Sequence, residues 1–454
     1  MAEILLPNKE QIDKIIKLKS GIEPIFGVIW DKSSNPTLTR INDAIGMVAN
    51  AGIDGEIVRN DFDNVPLFGE IHEVVDTLGN VFVRIPKFYI KKVDTANFKS
   101  WQVSKKRYPG FYLPWCFWDF ANNKELPYVD IGKYKASLGA DNKLESKPDT
   151  YPLVDTNIVN MRTYAKNNNA DGLAGYQQLD IHAVDIIRTL MIVEFATLNI
   201  QSVMMGFVNG RYGESDVATV SESNTNRIIV SNETASYYRV GQAISIGTTQ
   251  GGNQVFYGRT ITAIEVYDAN NKAIYFDGEP VDISAGNILY NTGWKNGFSS
   301  QIMATSGCIV ANDGYYPCHY RGIESPFGDI WQWVDGVNID DHQAWVAKNA
   351  EDYTSNVFAH PYEKLGYVNS VSNGYIIKMG FDPKYPFAEF PVSVGGSDST
   401  YYCDYYQISA NQRVARFGGR WNDGSRAGLS YWGLGSSSSS SGAVVGGRLL
   451  KKAL

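Results

Sequence analysis

Short apolar runs broken by turn residues dominate the hydrophobic pattern of this chain, and one stretch stands apart as a dense, long helix signal. That stretch is DIHAVDIIRTLMIVEFATLNIQSVMMG, residues 180–206. Ile186, Ile187, Leu190, Met191, Val193 and Leu198 cover more than one face of it, the pattern of a helix surrounded by core. Asp180 is placed to cap its start and Gly206 to stop it. Arg188, Glu194, Asn199 and Gln201 interrupt the apolar run, so it reads as a core helix and not a membrane span. Near the N-terminus, EILLPNKEQIDKIIKLK (3–19) spaces Ile12, Ile15, Ile16 and Leu18 at helical intervals and predicts a short helix.

Elsewhere the period is closer to two. VFVRIPKFYIKKV (81–93) alternates but contains Pro86, which predicts an edge strand or two strands. The aromatic stretch YPGFYLPWCFWDF (108–120) is too irregular to assign and reads as core packing before it reads as a surface. Between about 211 and 290, TNRIIVS, YYRVGQAISIG, RTITAIEVYD and KAIYFDG are strand-like, and DANN (268–271) predicts a hairpin loop. A tryptophan- and glycine-rich style then resumes at Gly293. The pattern predicts an α+β fold. Residues 1–20 would form a short helix that packs on the body or on copies of itself, and 21–130 a β-rich region. The main domain would be split into 131–210 and 291–454 by an all-β insert over 211–290, whose ends must meet at the surface.

Composition narrows the function. The chain has 454 residues, enough for two or three domains. Its formal net charge of −7 argues against a general nucleic-acid or anionic-membrane binder. The 28 Tyr and 10 Trp are residue types enriched at binding surfaces. Cys116, Cys308, Cys318 and Cys403 are widely spaced and form no CxxC, so a disulfide framework is not expected; reduced thiols are favoured, with a Cys308–Cys318 bridge left open. MAEILLPNKEQ lacks a basic segment followed by an apolar one, so export is not indicated.

The last segment, FGGRWNDGSRAGLSYWGLGSSSSSSGAVVGGRLL (417–450), carries the candidate chemistry. Glycine pairs bracket small and aromatic residues, and such pairs hold a loop's shape independently of its side chains. Tyr, Trp, Ser and Gly are also the residues of antibody-like binding surfaces. Arg420, Asn422, Asp423, Ser425, Arg426, Ser430, Tyr431, Trp432 and Ser436 are therefore expected to face a ligand, with Trp432 equally readable as scaffold. The serine run 436–441 precedes further apolar sequence and is expected to form a fixed loop, not a tether.

Together with SPFGDIWQWVDGVNI (325–339), this segment resembles the C-type-lectin-like fold of the formylglycine-generating-enzyme superfamily. It is most similar to phage tail receptor-binding proteins and to the variable proteins of diversity-generating retroelements. The resemblance rests on Gly328, Asp329, Trp331, Trp333 and Val334, on Gly418, Gly419, Trp421, Gly424, Ala427 and Gly428, and on Gly446, Gly447, Arg448 and Leu449. It covers roughly half the chain and implies scaffold roles for Gly328, Trp331, Trp333, Gly418, Gly419, Trp421, Gly446, Gly447 and Arg448.

The resemblance implies a homotrimeric adhesin at the tail tip or fibre of a virion, made in the host cytoplasm. It would bind a bacterial surface receptor, protein or glycan, through its C-terminal face and other tail proteins through its N-terminus. A structural tail or baseplate component using the same face on another virion protein is the alternative.

Catalysis is not expected. The terminal segment has no cysteine for formylglycine chemistry, and His72, His182, His319, His342 and His360 do not show the spacing of an iron-binding histidine triad. Trp421-Asn422-Asp423 matches half of the calcium motif of sugar-binding lectins, but neither Glu23-Pro24 nor Glu279-Pro280 is followed by Asn. Asp340-Asp341-His342 reads as a solvated turn, since one local cluster does not supply a metal's geometry. No cofactor, metal, nucleic acid or membrane insertion is expected.

Overall fold

The computed structural model describes residues 23–54 and 56–454, so the helix expected over 1–20 lies outside the described residues. The expected α+β class is overturned. Among the described residues strands take 36% and helices 13%, with three α-helices and a sheet curled into a half-barrel, so the fold is β-rich. The physical reason is the shortness of the apolar runs, which Gly, Pro and Asn turns cut to strand length.

Even the long helix is shorter than its pattern. It spans Ile181–Phe195, and the Asp180 carboxylate accepts the Ala183 N–H at 2.8 Å. Ala196 then turns left-handed (φ 52°, ψ 42°). Beyond it the backbone pairs with another segment: Leu38 N–H donates to the Ala196 carbonyl at 2.8 Å, and Leu198 N–H to the Pro36 carbonyl at 2.9 Å. Competition for those backbone groups ends the helix, although Leu198 and Ile200 keep the apolar pattern.

All fifteen helix residues are buried, including Asp185, Arg188 and Glu194. Their charges are paired. Lys92 reaches Asp185 and Glu389, Lys99 reaches Glu389 at 2.5 Å, Arg188 stands 3.7 Å from Glu389, and Arg321 binds Glu194 at 2.7 Å. Burial alone pushes Glu389 up, but Lys92, Lys99 and Arg188 outweigh it and hold the carboxylate down at about 2. This network ties the Tyr89–Asp94 and Lys99–Ser104 strands to the helix. Phe26, Val28, Trp101 and Val103 accordingly share one core with Ile186, Leu190, Phe390 and Tyr406. The described residues up to 130 thus pack into the body and share its core.

Residues 227–291 form a five-stranded antiparallel sheet in the order Arg227–Ser231, Asn271–Phe276, Gly252–Val266, Ala243–Thr249, Ile288–Asn291. It has its own cluster of Ile228, Val230, Ile244, Phe256, Ile274 and Leu289. At its neck Arg211 N–H donates to Asn291 Oδ1 at 2.7 Å, and Asn291 N–H to the Arg211 carbonyl at 2.9 Å, so entry and exit are joined.

The C-terminal half builds a nine-stranded sheet. Its order runs Glu363–Lys364, Gln343–Val346, Trp331–Asp340, Gln412–Phe417, Trp432–Ser436, Tyr405–Ile408, Gly374–Met379, Pro391–Val394, with Val445–Gly446 parallel to Trp331–Asp340. The final strand, Leu449–Lys452, leaves that sheet. It inserts between Tyr176–Gln178 and Tyr128–Gly132, the latter paired with Val81–Pro86.

Two buried histidines give a pH prediction. Burial, reinforced by the Lys452 charge, holds His182 at about 3, and burial holds His319 at about 4, against an ordinary value of 6.5. Below pH 6.5 the unfolded chain takes up these protons and the folded chain does not. Their stabilisation is therefore complete above 6.5 and is lost as pH falls towards 4. Asp329, raised to about 7 by burial, acts in the opposite sense, so the comparison must be differential. Across that window, denaturation of His319→Gln is expected to show a stability slope shallower than wild type by about 1.4 kcal/mol per pH unit. Equal slopes would mean His319 is not held neutral.

Candidate ligand-binding face

The terminal loop closes on a glycine neck. Gly418 and Gly419 have φ of 95° and 84°, a region that disfavours side chains, and a Cβ on Gly419 would lie 2.8 Å from Ala427 Cβ and 3.1 Å from Tyr431 Cδ1. Around this neck Gly328 N–H donates to the Gly418 carbonyl at 3.0 Å, Gly418 N–H to the Tyr431 carbonyl at 3.0 Å, and Gly428 N–H to the Gly418 carbonyl at 3.2 Å. Further along, Gln201 Nε2 donates to the carbonyls of Gly424 (3.0 Å) and Ala427 (2.6 Å), holding the turn Gly424–Arg426 from behind.

Three of the expected ligand-facing residues are not on the face. Ser430, Tyr431 and Trp432 are 2%, 0% and 0% exposed. Trp432 opens a strand between the Phe417 and Tyr406 lines, and its ring packs 4.8 Å from Phe390 and 5.2 Å from Phe417. Tyr431 lies 4.5 Å from Trp331. Ser430 N–H donates to Asp404 Oδ2 at 2.6 Å, while Arg188 stands 3.3 Å from its hydroxyl. Burial of two large rings releases more free energy than exposing them would, and the strand pairing turns them inward.

The remaining candidates do reach solvent. Ser425 and Arg426 are exposed, and Arg420, Asn422, Asp423 and Ser436 are half-buried. Ser436 is paired with Val414 at the far end of the strand, next to a serine turn in which Ser437 N–H donates to Ser440 Oγ at 3.0 Å. Gly328, Trp331, Trp333, Gly418, Gly419, Trp421, Gly446, Gly447 and Arg448 are all buried. Trp333 Nε1 donates to the Thr156 carbonyl at 2.8 Å, and Trp421 packs with Phe207, Trp294 and Ile330.

Residues outside the terminal loop complete the face. Tyr375 bonds Ser425 hydroxyl to hydroxyl at 2.7 Å and stacks edge-on with Tyr405 at 5.2 Å. The Arg426 guanidinium sits 5.1 Å above Tyr405, that of Arg420 5.5 Å above Tyr212, and that of Arg416 4.6 Å above Trp331. Asp423 lies among these three arginines, and burial nonetheless pushes its carboxyl up. None of Tyr212, Tyr375, Tyr405 and Arg416 was singled out from sequence. They are distant along the chain, and only the general aromatic enrichment hinted at them.

The arrangement offers cations, hydroxyls and aromatic edges, a set suited to holding a polar ligand. The four thiols are free and buried, with Cys308 opposite Cys318 in register across two short strands. Among the described residues no group of three or more His, Cys, Asp or Glu is placed to hold a metal ion. No protein-family model and no curated protein matches this chain.

Proposed function

We propose that this protein is a phage-type tail adhesin that binds a bacterial surface receptor through the face built from Arg420, Asn422, Asp423, Ser425 and Arg426, with Tyr375 and Tyr405 beside them. One observation carries the reading: the exposed Ser425 and Arg426 and the half-buried Arg420, Asn422 and Asp423 stand on a loop whose backbone is pinned by glycines and by buried rings beneath it. A loop held in this way loses little further conformational entropy when a ligand binds. Attachment to other tail proteins through the N-terminal region and assembly as a homotrimer belong to the same proposal. Several copies engaging one cell surface would raise avidity by about 10²–10⁴-fold over a single weak contact.

The test is a cell-binding assay across a panel of bacteria with labelled protein, comparing wild type with Arg420→Ala/Arg426→Ala. The double variant is expected to keep its thermal midpoint and lose binding by about tenfold or more, the loss expected of hydrogen-bonded charges. Wild-type binding that survives the double change intact would move the site elsewhere. If the wild type binds no cells but associates with another tail protein through this face, the adhesin reading fails and the structural one replaces it.

A further inference from the structure

The arginines of this face leave most of their donors unused. A guanidinium has five N–H donors. Arg448 spends its donors on Gln332 and on the carbonyls of Gly132, Lys133, Glu324 and Ser325. Arg84, Arg162 and Arg321 each make multiple bonds to carboxylates. On the face, by contrast, Arg416 has one long side-chain bond, 3.4 Å to Gln407 Oε1. Arg420 Nε stands 3.6 Å from Asp423 Oδ1, beyond hydrogen-bond range. Among the described residues the Arg426 guanidinium makes no side-chain hydrogen bond and stacks on Tyr405.

A second observation points the same way. Arg416 Nε, Arg420 Nε, Asn422 Oδ1 and Tyr431 Oη are buried without a hydrogen-bond partner, and all four belong to this one cluster. Tyr431 is completely buried, and the charges of Asp423, Arg416, Arg426 and Arg420 all act on its hydroxyl. Unpaired donors are costly to bury, so the Nε–H groups of Arg416 and Arg420, which flank the exposed Arg426, are available to a polar ligand group. The charge balance says which kind. Three guanidinium groups face the single carboxylate of Asp423, while the second carboxylate beneath the loop, Asp404, accepts the Ser430 N–H at 2.6 Å and has Arg188 as its own charge partner. This local excess of positive charge stands on a chain of net charge −7.

We infer that this face takes an anionic saccharide, seating its carboxylate or phosphate group among Arg416, Arg420 and Arg426 while a sugar ring lies against Tyr375 and Tyr405. Planar guanidinium groups match the oxygens of both anions with paired, charge-assisted hydrogen bonds. The half-buried tyrosines supply an apolar surface and hydroxyls within the same patch. The inference rests on the reading of this face as the ligand-binding one, and names what it binds.

The test is titration calorimetry on the whole protein with four probes: an oligogalacturonate, a glycerol-phosphate oligomer, a neutral malto-oligosaccharide of similar length and poly-L-glutamate. One or both acidic probes of the first pair are expected to bind, with affinity falling as salt rises, because solvent ions screen charges that reach the surface. Binding of the oligogalacturonate alone assigns a carboxylate, and of the phosphate oligomer alone a phosphate. Arg420→Gln/Arg426→Gln should weaken that binding about tenfold or more with the thermal midpoint unchanged, and Arg426→Lys should restore part of it.

Equal affinity for the neutral oligosaccharide, insensitivity to salt, or tighter binding of poly-L-glutamate would each overturn the inference, the last in favour of an acidic protein partner. The two proposals fail separately. Cell binding that needs Arg420 and Arg426 without affinity for either acidic saccharide removes the ligand class and leaves the adhesin. Affinity for an acidic saccharide without cell binding removes the adhesin and leaves the ligand class.

Discussion

Trp432→Ala and Tyr431→Ala are each expected to lower the unfolding free energy by about 3–5 kcal/mol, the range for emptying a buried aromatic site. Trp432 fills the space between Phe390 and Phe417, and Tyr431 that between Trp331 and Tyr405. The sheet strands on either side cannot close such a gap without breaking register. Urea denaturation followed by tryptophan fluorescence and near-ultraviolet circular dichroism reads the loss directly. Any binding lost in these variants would then report a damaged fold. Tyr431→Phe separates the ring from its hydroxyl: because that hydroxyl has no partner, its removal should be neutral or slightly stabilising. An unchanged midpoint for Trp432→Ala would show that the ring is not part of the core, and the argument for a rigid floor under the face would go with it.

Arg448→Met should be comparably severe, costing about 4 kcal/mol or more. The guanidinium bonds four backbone carbonyls, those of Gly132 and Lys133 on one side and Glu324 and Ser325 on the other, together with the Gln332 side chain. Removing it takes a donor from all of them, at about 1–3 kcal/mol for each group left unsatisfied, although the Lys133 carbonyl keeps the Glu324 N–H at 2.9 Å. The same residue joins the final strand to the turn that precedes the Trp331–Asp340 strand, so its loss uncouples two sheets. Burial depresses Arg448 to about 10, with Glu324 and Asp329 opposing, and it remains a cation at neutral pH. Arg448→Lys should recover little, since an ammonium has three donors and cannot span both pairs of carbonyls. Thermal unfolding of the two variants decides the matter: a wild-type midpoint in Arg448→Met would mean the carbonyls find other partners.

These two cases mark where local pattern is informative and where it is not. The Asp180 cap and the start of the long helix are legible because an N-cap acts on the amides two or three residues away. The strands between 227 and 291 are legible because alternation and turn residues lie within each run. The end of the helix is not legible, because the groups that stop it belong to Pro36 and Leu38, some 160 residues earlier in the chain. Composition likewise misleads at Ser430, Tyr431 and Trp432. A Gly-, Ser-, Tyr- and Trp-rich stretch has the same letters whether its rings face a ligand or a core, and only the neighbouring strands say which.

The sequence by itself determined the glycine positions that allow the terminal loop to turn, the cap of the helix, and the strand-forming runs. Each depends on dihedral freedom or hydrogen bonding within a few residues. The tertiary structure alone decided that the fold is β-rich, that the N-terminal strands share the main core, and that Arg416, Arg420 and Arg426 converge beside Tyr375 and Tyr405. Those outcomes depend on side chains brought together across hundreds of residues, where burial and charge pairing outweigh the preferences of any single segment.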